Sequence, residues 1–171
     1  MKKIFVIIFL LLTLGNKALA ETPHYLDFKL ILNQSDAGKK AQKFLKSKLE
    51  IGLKNIRDKQ KKILEEEKKL IQQKKVLSNE DYKSKVTKLR SKVSSLQKER
   101  NSLMQSVAKQ RSKAKSELLK NLNPIVKNFM KENKVRMVID KKDVLLADEE
   151  LDITSEIMKL LNKNLKSINL N

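Results

Sequence analysis

Between residues 36 and 77, large apolar residues recur every seven positions in an otherwise polar sequence. Such a heptad repeat predicts an α-helix that contacts a partner helix along one narrow seam. A polar stretch at residues 78–81 interrupts the repeat, and a second apolar set follows it. The two sets are Leu49, Ile56, Ile63, Leu70 and Leu77, and then Tyr82, Val86, Leu89, Val93, Leu96, Leu103 and Val107.

The two apolar sets match each other if the chain reverses near residues 78–81. Facing residues would then have numbers that add to about 159, which places Leu70 opposite Leu89 and Ile63 opposite Leu96. This match favours an antiparallel helical hairpin over one continuous rod. Forty residues of helix would reach about 60 Å at a rise of 1.5 Å per residue.

Capping residues predict where these helices begin. Ser35 can cap the first helix, with Asp36 near the positive end of its dipole, and Ser78 with Asp81 resembles a capping box for the second. Pro124 cannot donate a backbone hydrogen bond and crowds the preceding turn. We therefore expect a kink or a break of the second helix at Pro124.

Short segments with the character of strands flank the hairpin, and residues 135–140 alternate. Residues 24–28, 135–140 and 144–147 read as strands, with an apolar turn at 30–32 and a second turn at 141–143. Asp152 or Thr154 would cap a last amphipathic helix, which carries Ile157, Leu160, Leu161 and Leu165. Three short strands cannot form a complete sheet in one subunit, so we expect their edges to pair between chains and close a shared barrel.

The first twenty residues read as a secretory signal peptide. Lys2 and Lys3 precede an apolar run of about a dozen residues, and Ala18 and Ala20 are small residues at the −3 and −1 positions of a cleavage site. The run is too short to span a bilayer of about 30 Å as a helix. We predict export and cleavage after Ala20, with a periplasmic location.

The charge is concentrated in the predicted hairpin. The whole chain carries 39 basic and 20 acidic residues, a net charge of +19, and residues 36–133 alone hold 28 basic and 11 acidic ones. Between Tyr82 and Lys115 there are 11 basic residues and one acidic residue, Glu99. Neighbouring like charges on a helix are destabilising, so this excess indicates a partner that supplies negative charge.

The sequence offers no arrangement typical of an enzyme. His24 is the sole histidine, cysteine is absent, and no glycine-rich loop could cradle nucleotide phosphates. Glu65, Glu66 and Glu67 point in different directions on a helix, so we expect them to pair with nearby lysines such as Lys62 rather than to bind a metal ion. We therefore predict no cofactor and no metal site.

Both ends of the predicted mature chain resemble the Skp/OmpH family of periplasmic chaperones. The front motif runs from Tyr25-Leu26-Asp27-Phe28 to Asn33-Gln34-Ser35-Asp36-Ala37-Gly38. The back motif consists of Pro124-Ile125, Val138-Ile139-Asp140 and Leu151-Asp152-Ile153-Thr154. One departure is Lys134, where the family often has glycine before the second strand. The order and spacing of these motifs carry the resemblance, since each alone is weakly specific.

The resemblance implies a mainly α fold with a small β part and no ATP-driven step. A discontinuous head (21–35 and 134–171) would pool its strands in a homotrimeric β-barrel, and an arm (36–133) would be the basic hairpin. The implied activity is holding unfolded outer-membrane proteins in a cavity between the arms. Candidate trimerisation residues in the head are Tyr25, Leu26, Phe28, Met137, Val138, Ile139, Leu145, Leu146 and Ile157.

Candidate client-binding residues lie on the arm and away from the predicted seam. They are the apolar Phe44, Ile51 and Met104 and the basic Lys83, Lys85, Lys88, Arg90, Lys92, Lys98 and Arg100.

Two other functions fit the basic charge. The lysines could bind anionic lipid or lipopolysaccharide in a structural envelope protein. A histone-like, sequence-independent binding to nucleic acid fits a pI near 10. Phe44, Tyr82 and Phe129 are too few for base stacking, however, and export would separate the protein from DNA, so we expect no specific nucleic-acid partner.

Overall fold

The computed structural model describes residues 22–170, which form a mostly helical protein with two short strands. The elements are β1 (His24–Leu26), α1 (Phe28–Gln34), α2 (Asp36–Gln72), α3 (Asn79–Glu132), β2 (Val138–Asp140) and α4 (Thr154–Asn164). Single 3-10 turns occur at Gln73–Lys75, Lys141–Asp143 and Glu149–Leu151. The predicted signal peptide and its cleavage site lie outside the described residues.

Helices α2 and α3 form the antiparallel hairpin, which we call the arm. Ile56 and Leu70 are buried along the seam, and Leu49, Ile63 and Leu96 are half-buried, as the heptad pattern predicts. Four polar cross-helix pairs have residue numbers that add to 158, within one residue of the predicted register. These pairs are Lys48–Gln110, Lys59–Glu99, Glu66–Lys92 and Gln73–Lys85.

The capping predictions for the two long helices are confirmed. The Ser35 Oγ accepts from the Gly38 N–H at 3.2 Å, and the Ser78 Oγ accepts from the Asp81 N–H at 3.1 Å. The first long helix ends earlier than the heptad pattern predicts, because α2 stops at Gln72 and the 3-10 turn follows it. The reversal of the chain therefore begins before Leu77.

The expected break at Pro124 is wrong, because α3 runs without interruption through Pro124 to Glu132. Pro124 is exposed, so the Lys120 carbonyl that loses its helical donor can be hydrated. On either side of the proline, Leu122 is buried and Ile125 packs against the same hydrophobic core. Tertiary packing on both sides holds the helix together across the missing hydrogen bond.

The conformation at the end of α3 explains why the family often has glycine at the position of Lys134. Lys134 has a φ of 57°, in the left-handed region that favours glycine, and the Val135 N–H bonds back to the Met130 carbonyl at 2.9 Å. Glycine usually occupies this left-handed position at a helix C-terminus, and here lysine occupies it. A non-glycine residue there costs about 1 kcal/mol of conformational strain.

The strand predictions are partly wrong. β1 is shorter than 24–28 and pairs in parallel with β2, with Tyr25 opposite Ile139. The apolar segment 30–32, expected to be a turn, lies in α1, whose first turn is capped by Asp27 through its bond to the Leu30 N–H. Residues 144–147 form no strand, and among the described residues the sheet consists of β1 and β2 alone.

The main hydrophobic core lies where the root of the arm meets the head. It joins residues from β1, α1, the start of α2, α3 and α4, so the two ends of the described chain fold together around the base of the hairpin. Its buried members are Leu26, Ile31, Ala37, Leu118, Leu122, Ile153, Ile157 and Leu161.

Candidate functional site

The first half of α3 presents a basic surface to solvent. All seven basic residues that the sequence analysis singled out are exposed along about five turns of this helix. We call this set the α3 cationic surface; it consists of Lys83, Lys85, Lys88, Arg90, Lys92, Lys98 and Arg100.

Part of this charge is neutralised across the hairpin. The Lys92 Nζ lies 2.6 Å from Glu66 Oε2, and Glu99 is paired at the same distance with Lys59 of α2. We expected Glu66 to pair with lysines of its own helix, and its ion pair with Lys92 of α3 corrects that expectation. Both ion pairs are exposed, so they contribute little stability.

The apolar candidates Phe44, Ile51 and Met104 are exposed, and the side chain of Ile51 keeps 59% of its surface accessible. Phe44 and Ile51 lie on α2, whereas Met104 lies on α3. The structure therefore leaves all three on the surface of the arm, free to contact another molecule. Further large apolar residues exposed on the arm are Leu64, Ile71, Val76 and Val93.

The candidate head residues divide into an internal and an external set. Tyr25, Leu26 and Ile157 are buried within the protomer, so they stabilise the head itself rather than an outer surface. The external set includes Leu145 and Leu146, which are 102% and 92% exposed. These two leucines border an open cavity of about 840 Å³.

The other candidate head residues, Phe28, Met137, Val138 and Ile139, line a second open cavity of about 490 Å³ beside β2. Met137 is exposed, and the other three are half-buried. Together the two cavities leave apolar head surface uncovered in the single chain.

A polar cluster that sequence reasoning missed ties β1 to the start of α4. Asp152 accepts from the Thr154 N–H at 2.9 Å and from the Thr154 hydroxyl, and Thr154 Oγ1 accepts from the Asp27 N–H at 2.8 Å. Lys141 binds Asp152 Oδ2 at 2.8 Å and lies 5.5 Å from the ring centroid of Tyr25. The sequence signalled only a helix start near Asp152 and Thr154. The prediction that one of these two residues is the cap is wrong, because the cap is Ile153, which makes no side-chain capping hydrogen bond.

The cluster shifts two pKa values. Burial acts to raise the pKa of Asp152, but the hydrogen bonds from Lys141 and Thr154 and the positive charge of Lys141 outweigh it, so the pKa lies below its ordinary value. The hydrogen bond and charge of Asp152 raise the pKa of Lys141. Both groups are therefore held in their charged forms.

We expect Asp152→Asn to lower the stability of the head at pH 7 but much less at pH 3. A carboxyl with a depressed pKa in the folded state adds stability above its unfolded pKa of about 3.9, and that stability is lost as the pH falls through the folded value. The measurement is the urea midpoint of both proteins at pH 7 and pH 3, at one fixed concentration. Asp143→Asn, which removes an exposed carboxylate that pairs with Lys142, is the matched control. An equal loss at both pH values in Asp152→Asn would contradict this assignment.

Within residues 22–170, no group of three or more His, Cys, Asp or Glu side chains is placed to hold a metal ion. None of the helices in the same range combines the length and the apolar character needed to cross a membrane.

Comparison with known proteins identifies the family. The family model described as outer membrane protein (OmpH-like) matches residues 24–161. The chain belongs to the OmpH-like family. The match covers β1, the whole arm, β2 and most of α4, so the hairpin and the head are both part of the family pattern.

A solved structure shares the fold of this OmpH-like protein. The crystal structure of a "putative outer membrane chaperone (OmpH-like)" from Caulobacter crescentus CB15 superimposes with a TM-score of 0.80 at 20% sequence identity. The similarity covers 91% of this chain and 92% of the other. A comparison with curated protein sequences gave no match.

Proposed function

We propose that this OmpH-like protein is an ATP-independent chaperone of the bacterial envelope that holds unfolded outer-membrane proteins. The observation that carries this proposal is the exposed α3 cationic surface on an arm that also bears the exposed apolar side chains Phe44, Ile51 and Met104. A surface of this composition can bind an unfolded acidic chain through many weak contacts. Family membership and the shared fold of the Caulobacter protein support the same function.

Binding of this kind needs no catalytic step. Exposed cations attract an acidic chain over a distance of about one Debye length, roughly 8 Å at physiological ionic strength. Scattered apolar contacts then cover short apolar segments of the client and keep it soluble. Because each contact is weak, release requires no nucleotide hydrolysis, and we propose that the protein is not an enzyme and uses no cofactor.

The working form that we propose is a periplasmic homotrimer. Residues 1–20 would be removed on export, residues 21–35 and 134–171 would form the trimerisation head, and residues 36–133 would form the arm. The exposed Leu145 and Leu146 and the neighbouring open cavities support association through the head, since large uncovered apolar patches mark interaction surfaces. Three arms around one head would enclose a cavity for the client.

The decisive experiment dilutes a β-barrel membrane protein from urea into buffer with and without the mature chain and follows light scattering. We expect aggregation to be suppressed at low salt near three chains per client, and multi-angle scattering of the free protein to give the mass of three subunits. Absence of suppression at low salt would reject the proposal. Binding to anionic vesicles without any suppression would instead favour the lipid-binding alternative.

A further inference from the structure

Residues 165–170 follow α4 and run back along the root of the arm. Helix α4 ends at Asn164, and Leu165 adopts an extended backbone with φ −131° and ψ 106°. No helix or strand forms in residues 165–170. The segment lies beyond the part of the chain that the family model matches, which ends at residue 161.

Leu170 inserts into the arm at its root. Its side chain is only 5% exposed and packs in a small cluster with Ala41 and Leu45 of α2 and Ala114 of α3. The Leu170 carbonyl accepts from the Gln110 Nε2 of α3 at 2.6 Å. One residue outside the helices therefore contacts both helices of the arm.

The rest of the segment is fastened to the head and to the start of the arm. Ile168 packs against the main core and also against the Leu170 cluster, so it joins the two apolar clusters. Lys166 Nζ lies 3.2 Å from Asp36 Oδ2, in the first turn of α2. The segment thus connects the end of α4, in the head, to the root of the arm.

We propose that residues 165–170 form a strap that restrains the root of the arm against the head. The strap makes no backbone ladder and is held by the packing of Leu165, Ile168 and Leu170 and by a few polar contacts, so it can open at a lower free energy than the core. Its opening exposes the apolar cluster at the root and loosens the arm. On the function proposed above, the strap sets how widely an arm swings to admit a client.

Amide hydrogen exchange tests the strap without any client. We compare the mature chain with a variant that ends at Asn164 and with Leu170→Ser. Loss of one buried leucine should raise exchange at residues 41–48 and 107–114 by about tenfold or more, while residues near the chain reversal are unchanged. Ser167→Ala, which changes an exposed residue of the same segment, should exchange like the parent protein.

Two results would overturn the proposal that residues 165–170 act as a strap. Unchanged exchange at the root in both Leu170→Ser and the shortened chain would mean that the segment restrains nothing. A uniform rise along the whole arm and the head core would mean that it contributes only to global stability. Because no client is present, a failed aggregation assay leaves this test intact, and the two proposals can be rejected separately.

Discussion

Exchanging five exposed cations of α3 for glutamine is expected to slow capture of an unfolded acidic client by about tenfold or more at low salt. The reason is that these residues supply most of the local positive field, whereas glutamine retains similar helix propensity and length. Stopped-flow fluorescence with a labelled client measures the association rate. The residues exchanged are Lys83, Lys88, Arg90, Lys98 and Arg100, which leaves the Lys92–Glu66 ion pair intact.

A matched variant on α2 tests whether the association rate depends on the position of the positive charges or only on their number. It exchanges the same number of exposed cations on a helix where Glu50, Asp58 and Glu65–Glu67 already weaken the field. We expect a clearly smaller decrease in the association rate, and both decreases should shrink in 0.5 M salt because screening shortens the reach of the field. Equal decreases in the two variants would assign the effect to net charge alone. The control residues are Lys40, Lys43, Lys54, Lys61 and Lys68.

Replacing Ile157 by alanine is expected to lower the free energy of unfolding by about 2–5 kcal/mol. The Ile157 side chain is 0% exposed at the centre of the main core, so its loss leaves a cavity between α4 and the root of the arm. Chemical denaturation followed by circular dichroism measures the change. The protein concentration must be held constant, because the subunit association that we propose would make apparent stability depend on it.

The same substitution at Ile51 is the control, since this isoleucine also lies in a helix but is 59% exposed. Ile51→Ala should change the free energy of unfolding by no more than about 0.5 kcal/mol. On the proposed function it should instead shorten the lifetime of the client complex. A loss of stability at Ile51 as large as that at Ile157 would show that the off-seam residues belong to the fold of the arm rather than to a binding surface.

Much of the arm could be predicted because its determinants are local. A seven-residue apolar repeat and one serine cap, Ser35 or Ser78, define each long helix. The register of an antiparallel pair follows from where the chain reverses. The observed pairs Lys59–Glu99 and Glu66–Lys92 therefore lie within one residue of the predicted register. The continuity of α3 through Pro124 could not be predicted, because packing against the head decides it.

The candidate binding surface was predictable as a set of residue types but not as a set of contacts. Charge counting finds the α3 cationic surface, yet the partner of Glu66 lies on the other helix. Residues 144–147 are four consecutive apolar residues that we predicted to form a strand, but they pair with neither strand of the described residues. The cluster of Asp152, Thr154 and Lys141 was missed because its members meet only when β1, β2 and α4 come together.

By itself the sequence determined the helical hairpin, its basic character and the absence of enzyme motifs, since periodicity, capping and charge are properties of neighbouring residues. Tertiary structure alone decided which apolar residues of the head are buried, how Pro124 is tolerated and where residues 165–170 lie. Those features depend on contacts between segments that are far apart in the chain, such as Asp36 with Lys166. No local pattern in a chain specifies which distant surface an extended segment will cover.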